Sequence, residues 1–128
     1  MKASTIAQLK KELQYKSSDE VVQLCLRLAR FKKENKELLT YLLFEADNES
    51  GYIESVKQEV DELFSEINMN SYFYIKISVL KILRIVKKYI RYSGIKQTEV
   101  EFILYYCEKL KDLRHSINRY TALTNLYE

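Results

Sequence analysis

Residues 72–94 read YFYIKISVLKILRIVKKYIRYSG, from Tyr72 to Gly94. Wound at 100° per residue, Val79, Ile82, Ile85, Val86, Tyr89 and Ile90 gather in one sector about 140° wide. Lys81, Arg84, Lys87, Lys88 and Arg91 gather on the opposite side. This two-sided period is that of an α-helix, whereas a half-buried strand would alternate at every second residue. Gly94 follows the last periodic residues and is free to take the left-handed conformation that closes a helix. Tyr72–Tyr92 is therefore predicted as one long amphipathic helix.

The rest of the chain extends the same pattern. Its 128 residues contain no proline and two glycines, Gly51 and Gly94. Proline breaks helix and sheet interiors and glycine supplies the positive φ of tight turns, so a chain this poor in both has little hairpin chemistry. Ser4 is expected to cap a first helix with Ile6, Leu9 and Leu13 on one face. Ser17-Ser18-Asp19-Glu20 fits a capping box, in which hydroxyl and carboxylate satisfy each other's backbone N–H groups. It opens a second helix carrying Val21, Leu24, Cys25, Leu28 and Ala29. Asn35 is read as the cap of a third helix, Lys36 to Ala46. Ser50 opens a fourth with Ile53, Val56, Val60, Leu63, Phe64 and Ile67 at helical spacing. Thr98-Glu99-Val100-Glu101 reads as a second capping box, opening a sixth helix to Leu113, and a last helix covers Ser116 to Tyr127. The class is all-α: a single domain over residues 1–128, folded as an irregular bundle or a short α-solenoid-like stack of about seven helices.

Bulk properties bound the function. Apolar residues make up 47% and charged residues 30%, with a net charge of +3, as in a water-soluble globular protein and not a disordered one. The N-terminus lacks the apolar run of a signal peptide. Lys76, Lys81, Arg84, Lys87 and Lys88 interrupt the most apolar stretch, so no membrane span is expected. Cys25 and Cys107 sit among core-type leucines and read as free buried thiols of a cytoplasmic protein.

Leu9-Lys10-Lys11-Glu12-Leu13, the capped helix from Ser17, and Asn35-Lys36-Glu37 running into Leu39-Tyr41-Leu42 resemble a family of small bacterial proteins of unknown function. The likeness continues through an acidic helix, a basic one rich in Lys and Ile, and Glu99-Val100-Glu101-Phe102-Ile103-Leu104-Tyr105. The resemblance implies an all-helical fold and brings no catalytic residue with it.

Charge is segregated along the sequence. Residues 44–70 hold eight acids and one base, Lys57, while residues 71–98 hold seven bases and no acid. One reading is an antiparallel hairpin in which the acidic and basic helices face each other, with exposed pairs worth about 0–1 kcal/mol each. The other is a phosphate-binding surface made by Lys81, Arg84, Lys87, Lys88 and Arg91, with nearby tyrosines stacking on bases. An acidic protein partner is the third.

Aromatic content is high, with eleven Tyr, five Phe and no Trp. In the sixth helix Val100, Ile103, Leu104, Cys107 and Leu110 are taken as the core face, which turns Phe102 and Tyr105 away from it. The third helix, with Leu38, Leu39, Tyr41, Leu42, Leu43 and Phe44, is apolar nearly all round. Such helices are either central in the bundle or present a second side to another chain. Leu38, Tyr41, Phe102 and Tyr105 are thus candidates for a self-association surface. His115 is the sole histidine, no ligand set lies at metal spacing, and no phosphate-cradling loop is visible. No catalytic, cofactor-binding or metal residue is assigned and no small-molecule substrate is indicated. The expected function is a non-enzymatic interaction module binding another protein or itself, with a nucleic-acid-associated protein as the alternative.

Overall fold

In the computed structural model, the backbone is described over residues 1–127 and the side chains over residues 1–119. Six α-helices follow one another: α1 Ile6–Gln14, α2 Ser18–Phe31, α3 Lys33–Thr40, α4 Glu49–Ser65, α5 Tyr72–Ser93 and α6 Lys96–Tyr127. A π-helical turn, Tyr41–Glu45, separates α3 from α4. No strand occurs among the described residues, so the chain is all-α.

The caps account for most of the boundaries. The Ser17 box forms as expected: Ser17 Oγ accepts from Glu20 N at 3.2 Å and Glu20 Oε1 accepts from Ser17 N at 3.0 Å. That backbone bond holds the Glu20 carboxyl below its ordinary range. Elsewhere the caps differ by a few residues from the sequence reading. Thr5, not Ser4, caps α1 in a box with Gln8. Asn48, not Ser50, caps α4 by accepting from Gly51 N at 3.2 Å. Asn35 is not a cap at all, since α3 starts at Lys33; its Nδ2 donates to the Leu28 carbonyl at 2.8 Å, tying α3 back to α2. Gly94 closes α5 with φ of 68°, the one positive φ among the described residues.

Six helices stand where seven were expected, because α6 is a single 32-residue rod. No glycine or proline lies within it, and Leu113-Arg114-His115-Ser116, read as a break, are residues a helix interior tolerates.

Contacts divide the chain into two compact units, Met1–Leu43 and the remainder from Phe44 onward. The boundary falls inside the π-helical turn, with no Gly- or Ser-rich linker to announce it. In the first unit α2 and α3 pack together. In the second, α4, α5 and α6 form a three-helix bundle in which each touches the other two.

The bundle's core is aromatic at both ends and aliphatic between. Val56, Val60, Ile75, Ile82 and Val86 are buried, Val86 being 1% exposed. Tyr52 lies 5.9 Å from Phe102, ring centre to ring centre, and Phe64 the same distance from Tyr106. Both buried tyrosine hydroxyls find backbone acceptors on α5, as burial requires. Tyr52 Oη donates to Tyr89 O at 2.6 Å from α4, and Tyr106 Oη donates to Val79 O at 2.9 Å from α6.

Candidate interaction surfaces

The first unit leaves its apolar side chains uncovered. Ala29 and Tyr41 are buried within Met1–Leu43, whereas Ile6 (81% exposed), Leu9, Leu13, Leu28, Phe31 (77%) and Leu43 lie open. The α1 face of Ile6, Leu9 and Leu13 forms as predicted, yet no residue of α1 is buried. Between α2 and α3 a cleft of about 190 Å³ is lined by Cys25, Leu28, Ala29, Leu38 and Leu42. Leu38, a predicted association residue, is exposed there; Tyr41 is not, and it is withdrawn from the surface set. A helix with apolar residues all round must hide one side, and Tyr41 lies on the hidden one while Leu42 and Leu43 remain open.

In the second unit, Phe102 is likewise withdrawn: it is 2% exposed. The face of α6 is the reverse of the expected one. Thr98, Phe102 and Tyr106 point into the bundle, and Val100, Ile103, Leu104 (65% exposed) and Cys107 point out. The physical reason is that Phe102 and Tyr106 fill the space opposite Tyr52 and Phe64, which the smaller aliphatics do not span. The missed signal was the i, i+4 spacing of Thr98, Phe102 and Tyr106, a second helical series beside the aliphatic one.

Tyr105 is half-buried at the seam of α4 and α6, where it donates to Asp61 Oδ1. Lys109 Nζ stands 3.1 Å from the same oxygen, Lys57 Nζ lies 3.6 Å from Glu101 Oε2, and the Lys57 ammonium sits over the Tyr105 ring at 5.2 Å. Burial and then the hydrogen bond to Asp61 push the Tyr105 hydroxyl up to about 12. Burial works against ionisation of Asp61, but the bonds from Tyr105 and Lys109 outweigh it and hold the carboxyl below its ordinary value. The acidic helix thus uses Asp61 and Lys57 toward α6, where the sequence reading faced its carboxylates toward α5. Glu49, at the start of α4, accepts from Ser93 Oγ at 2.5 Å and from Thr98 Oγ1 at 2.6 Å. That use of Thr98 replaces the predicted capping box.

Four members of the basic stripe, Lys81, Arg84, Lys87 and Arg91, are exposed on α5. Lys88 is half-buried, its ammonium 5.4 Å from the centre of the Tyr89 ring. Nearer the start of α5, Phe73, Tyr74, Ile77 and Leu80 are exposed. Cys25 and Cys107 are free thiols, and both are exposed where burial was expected: Cys25 opens onto the cleft between α2 and α3, and Cys107 stands on the side of α6 opposite its buried face.

Among the described residues no group of three or more His, Cys, Asp or Glu side chains converges as a metal site, and no helix is long and apolar enough to cross a membrane. Compared with protein-family models, curated proteins and solved structures, the chain matches none.

Proposed function

We propose that the protein is a non-enzymatic helical interaction module that binds another protein or a second copy of itself. The observation that carries this reading is the state of the first unit: two buried side chains in forty-three residues, against a surface of open leucine, isoleucine and phenylalanine. A unit this small buries little of its own surface, and chains below about 40 residues usually need disulfides, metal or association to be stable. Each large apolar side chain covered by a partner contributes about 1.5–3 kcal/mol, so such a surface is a reservoir of binding energy. A module of this kind fits a reducing cytoplasm, where the exposed thiols of Cys25 and Cys107 stay unpaired.

Hydrogen exchange on the full chain, combined with sedimentation over a concentration series, tests the reading. The expected result is weak protection of α1–α3 in the 15.3 kDa monomer and strong protection on association. A monomer at all concentrations with α1–α3 protected as well as α4–α6 would overturn it, since the unit would then be stable uncovered.

The exposed stripe Lys81, Arg84, Lys87 and Arg91, in a stretch without acids, supports nucleic-acid association as the second reading. Its signature is a salt dependence of duplex binding with log–log slope of about −0.9 per neutralised phosphate. Replacing Arg84, Lys87 and Arg91 with Gln would then flatten the slope by about two to three.

A further inference from the structure

We infer that the outer groove between α5 and α6 is a docking site for an acidic amphipathic helix of another protein. The inference rests on the interaction-module reading and assigns it a surface and a partner chemistry.

The groove begins with the two-faced character of α6. At 100° per residue, Val100, Ile103, Leu104 and Cys107 span an arc of about 100°, and its centre lies about 130° from the buried Phe102–Tyr106 line. That is the width of a helix face meant to be covered, and all four residues are exposed. On α5, half-buried Val79 lines the groove with Cys107 and Leu110; next to it Leu80 is exposed, and one turn on Leu83 is half-buried. Toward the start of α5 the groove deepens to a cavity of about 570 Å³ where Ile75 and Val79 meet Cys107, Leu110 and Ile117. From Val100 to Ile117 the floor runs about 26 Å, enough for a helix of four to five turns. A helix laid in such a groove is held by apolar anchors at i, i+3 or i+4, and i+7.

Charge selects the occupant. The α5 rim carries exposed Lys76 and Lys87, and the α6 rim carries exposed Lys111 and Arg114, which also line the cavity. No acid lies on α5; Glu108 and Asp112 of α6 stand beyond Leu104 on the far flank, and Glu99 precedes the open floor. Cationic rims around an apolar floor complement a helix with carboxylates beside its apolar stripe. A second copy does not meet that description. The acidic helix of this chain, α4, already buries its apolar stripe of Tyr52, Val56, Val60 and Phe64 in its own bundle. A two-fold contact of the groove with itself would set like cations against each other. The floor from Val100 to Cys107 is aliphatic, and Tyr72, which lines the cavity at the start of α5, is a single ring where successive bases would need a series of them, which disfavours nucleic acid.

The probe is a synthetic peptide of about 18 residues with Leu on one helical face and Glu elsewhere, against a control with Lys in place of Glu. Both are titrated into the isotopically labelled full chain, with amide shifts and fluorescence anisotropy as readouts. The Glu peptide is expected to shift amides of α5 and α6 around Leu80, Ile103, Leu104 and Cys107, and to bind at least about tenfold more tightly than the Lys peptide. Leu104→Glu and Lys111→Glu, both at exposed positions, should each weaken it with the melting temperature unchanged. No binding at about 1 mM, or equal binding of the two peptides, would overturn the assignment. So would duplex DNA shifting the same amides in place of the Glu peptide, or self-association that shifts them without peptide. Shifts confined to α1–α3 would overturn the groove while leaving the broader interaction reading standing.

Discussion

Thr98 and Glu49 lie 49 positions apart in sequence and 2.6 Å apart in space, hydroxyl donating to carboxylate. Ser93 donates to the same oxygen. One carboxylate therefore fastens the start of α4 to both sides of the Gly94 turn that joins α5 to α6.

Thr98→Val keeps the volume of this side chain, 1% exposed, and removes its donor. The expected loss is about 1–2 kcal/mol, read from urea denaturation. Thr98→Ser should retain most of the stability. Equal loss from both variants would place the effect in packing and not in the hydrogen bond.

The two faces of α6 predict opposite outcomes for two truncations only two residues apart in the chain. Phe102→Ala empties a core position and should destabilise by about 3–5 kcal/mol, whereas Leu104→Ala should stay within about 0.5–1 kcal/mol. Denaturation midpoints of the pair decide it, and the reverse order would restore the aliphatic face as the core.

Much of the architecture is legible in the sequence because it is encoded locally. The Ser17–Glu20 box and the Gly94 stop need only three or four neighbouring residues, and both form as read. The α6 face is not legible by the same means. Val100, Ile103, Leu104 and Cys107 carry a helical period as clear as that of Thr98, Phe102 and Tyr106, and aliphatic residues look more core-like than a threonine and a tyrosine. What decides is remote: Glu49 receives the Thr98 hydroxyl, and Val79 receives that of Tyr106. The same holds for the candidate surfaces. The α5 stripe is exposed as expected, except at half-buried Lys88, because its period is local. The burial of Tyr41 and Phe102 is not legible, because apolar residues all round a helix do not say which side the rest of the chain covers.

The Tyr105–Asp61 bond should govern stability in alkali. A folded Tyr105 value of about 12 against an ordinary 10.0 means that the folded state holds this proton more tightly. Its contribution is complete below pH 10 and disappears as pH rises toward 12. Asp61, held low, contributes above its ordinary 3.8 and loses its contribution as pH falls through its lowered folded value. Asp61→Asn should lower the Tyr105 midpoint by ring-carbon NMR and reduce both pH dependences. An unchanged Tyr105 midpoint would refute the coupling.

Gly94→Ala tests the turn after α5. An added Cβ would meet nothing within 4 Å, so the cost is that of backbone conformation at φ of 68° alone. The expected destabilisation is about 1–2 kcal/mol with no change in helix content by circular dichroism. A neutral result would mean that the turn relaxes out of the left-handed region.

The short connections between α4, α5 and α6 also bear on how fast the bundle assembles. Each helix packs on its successor, and the closing contact of α4 with α6 spans one intervening helix, so little chain must be ordered before contacts reward it. Topologies of this kind fold in microseconds to milliseconds, and a sequence without proline has no prolyl isomerisation to slow it. The bundle can therefore be complete soon after α6 is synthesised, with no slow isomerisation step holding it back.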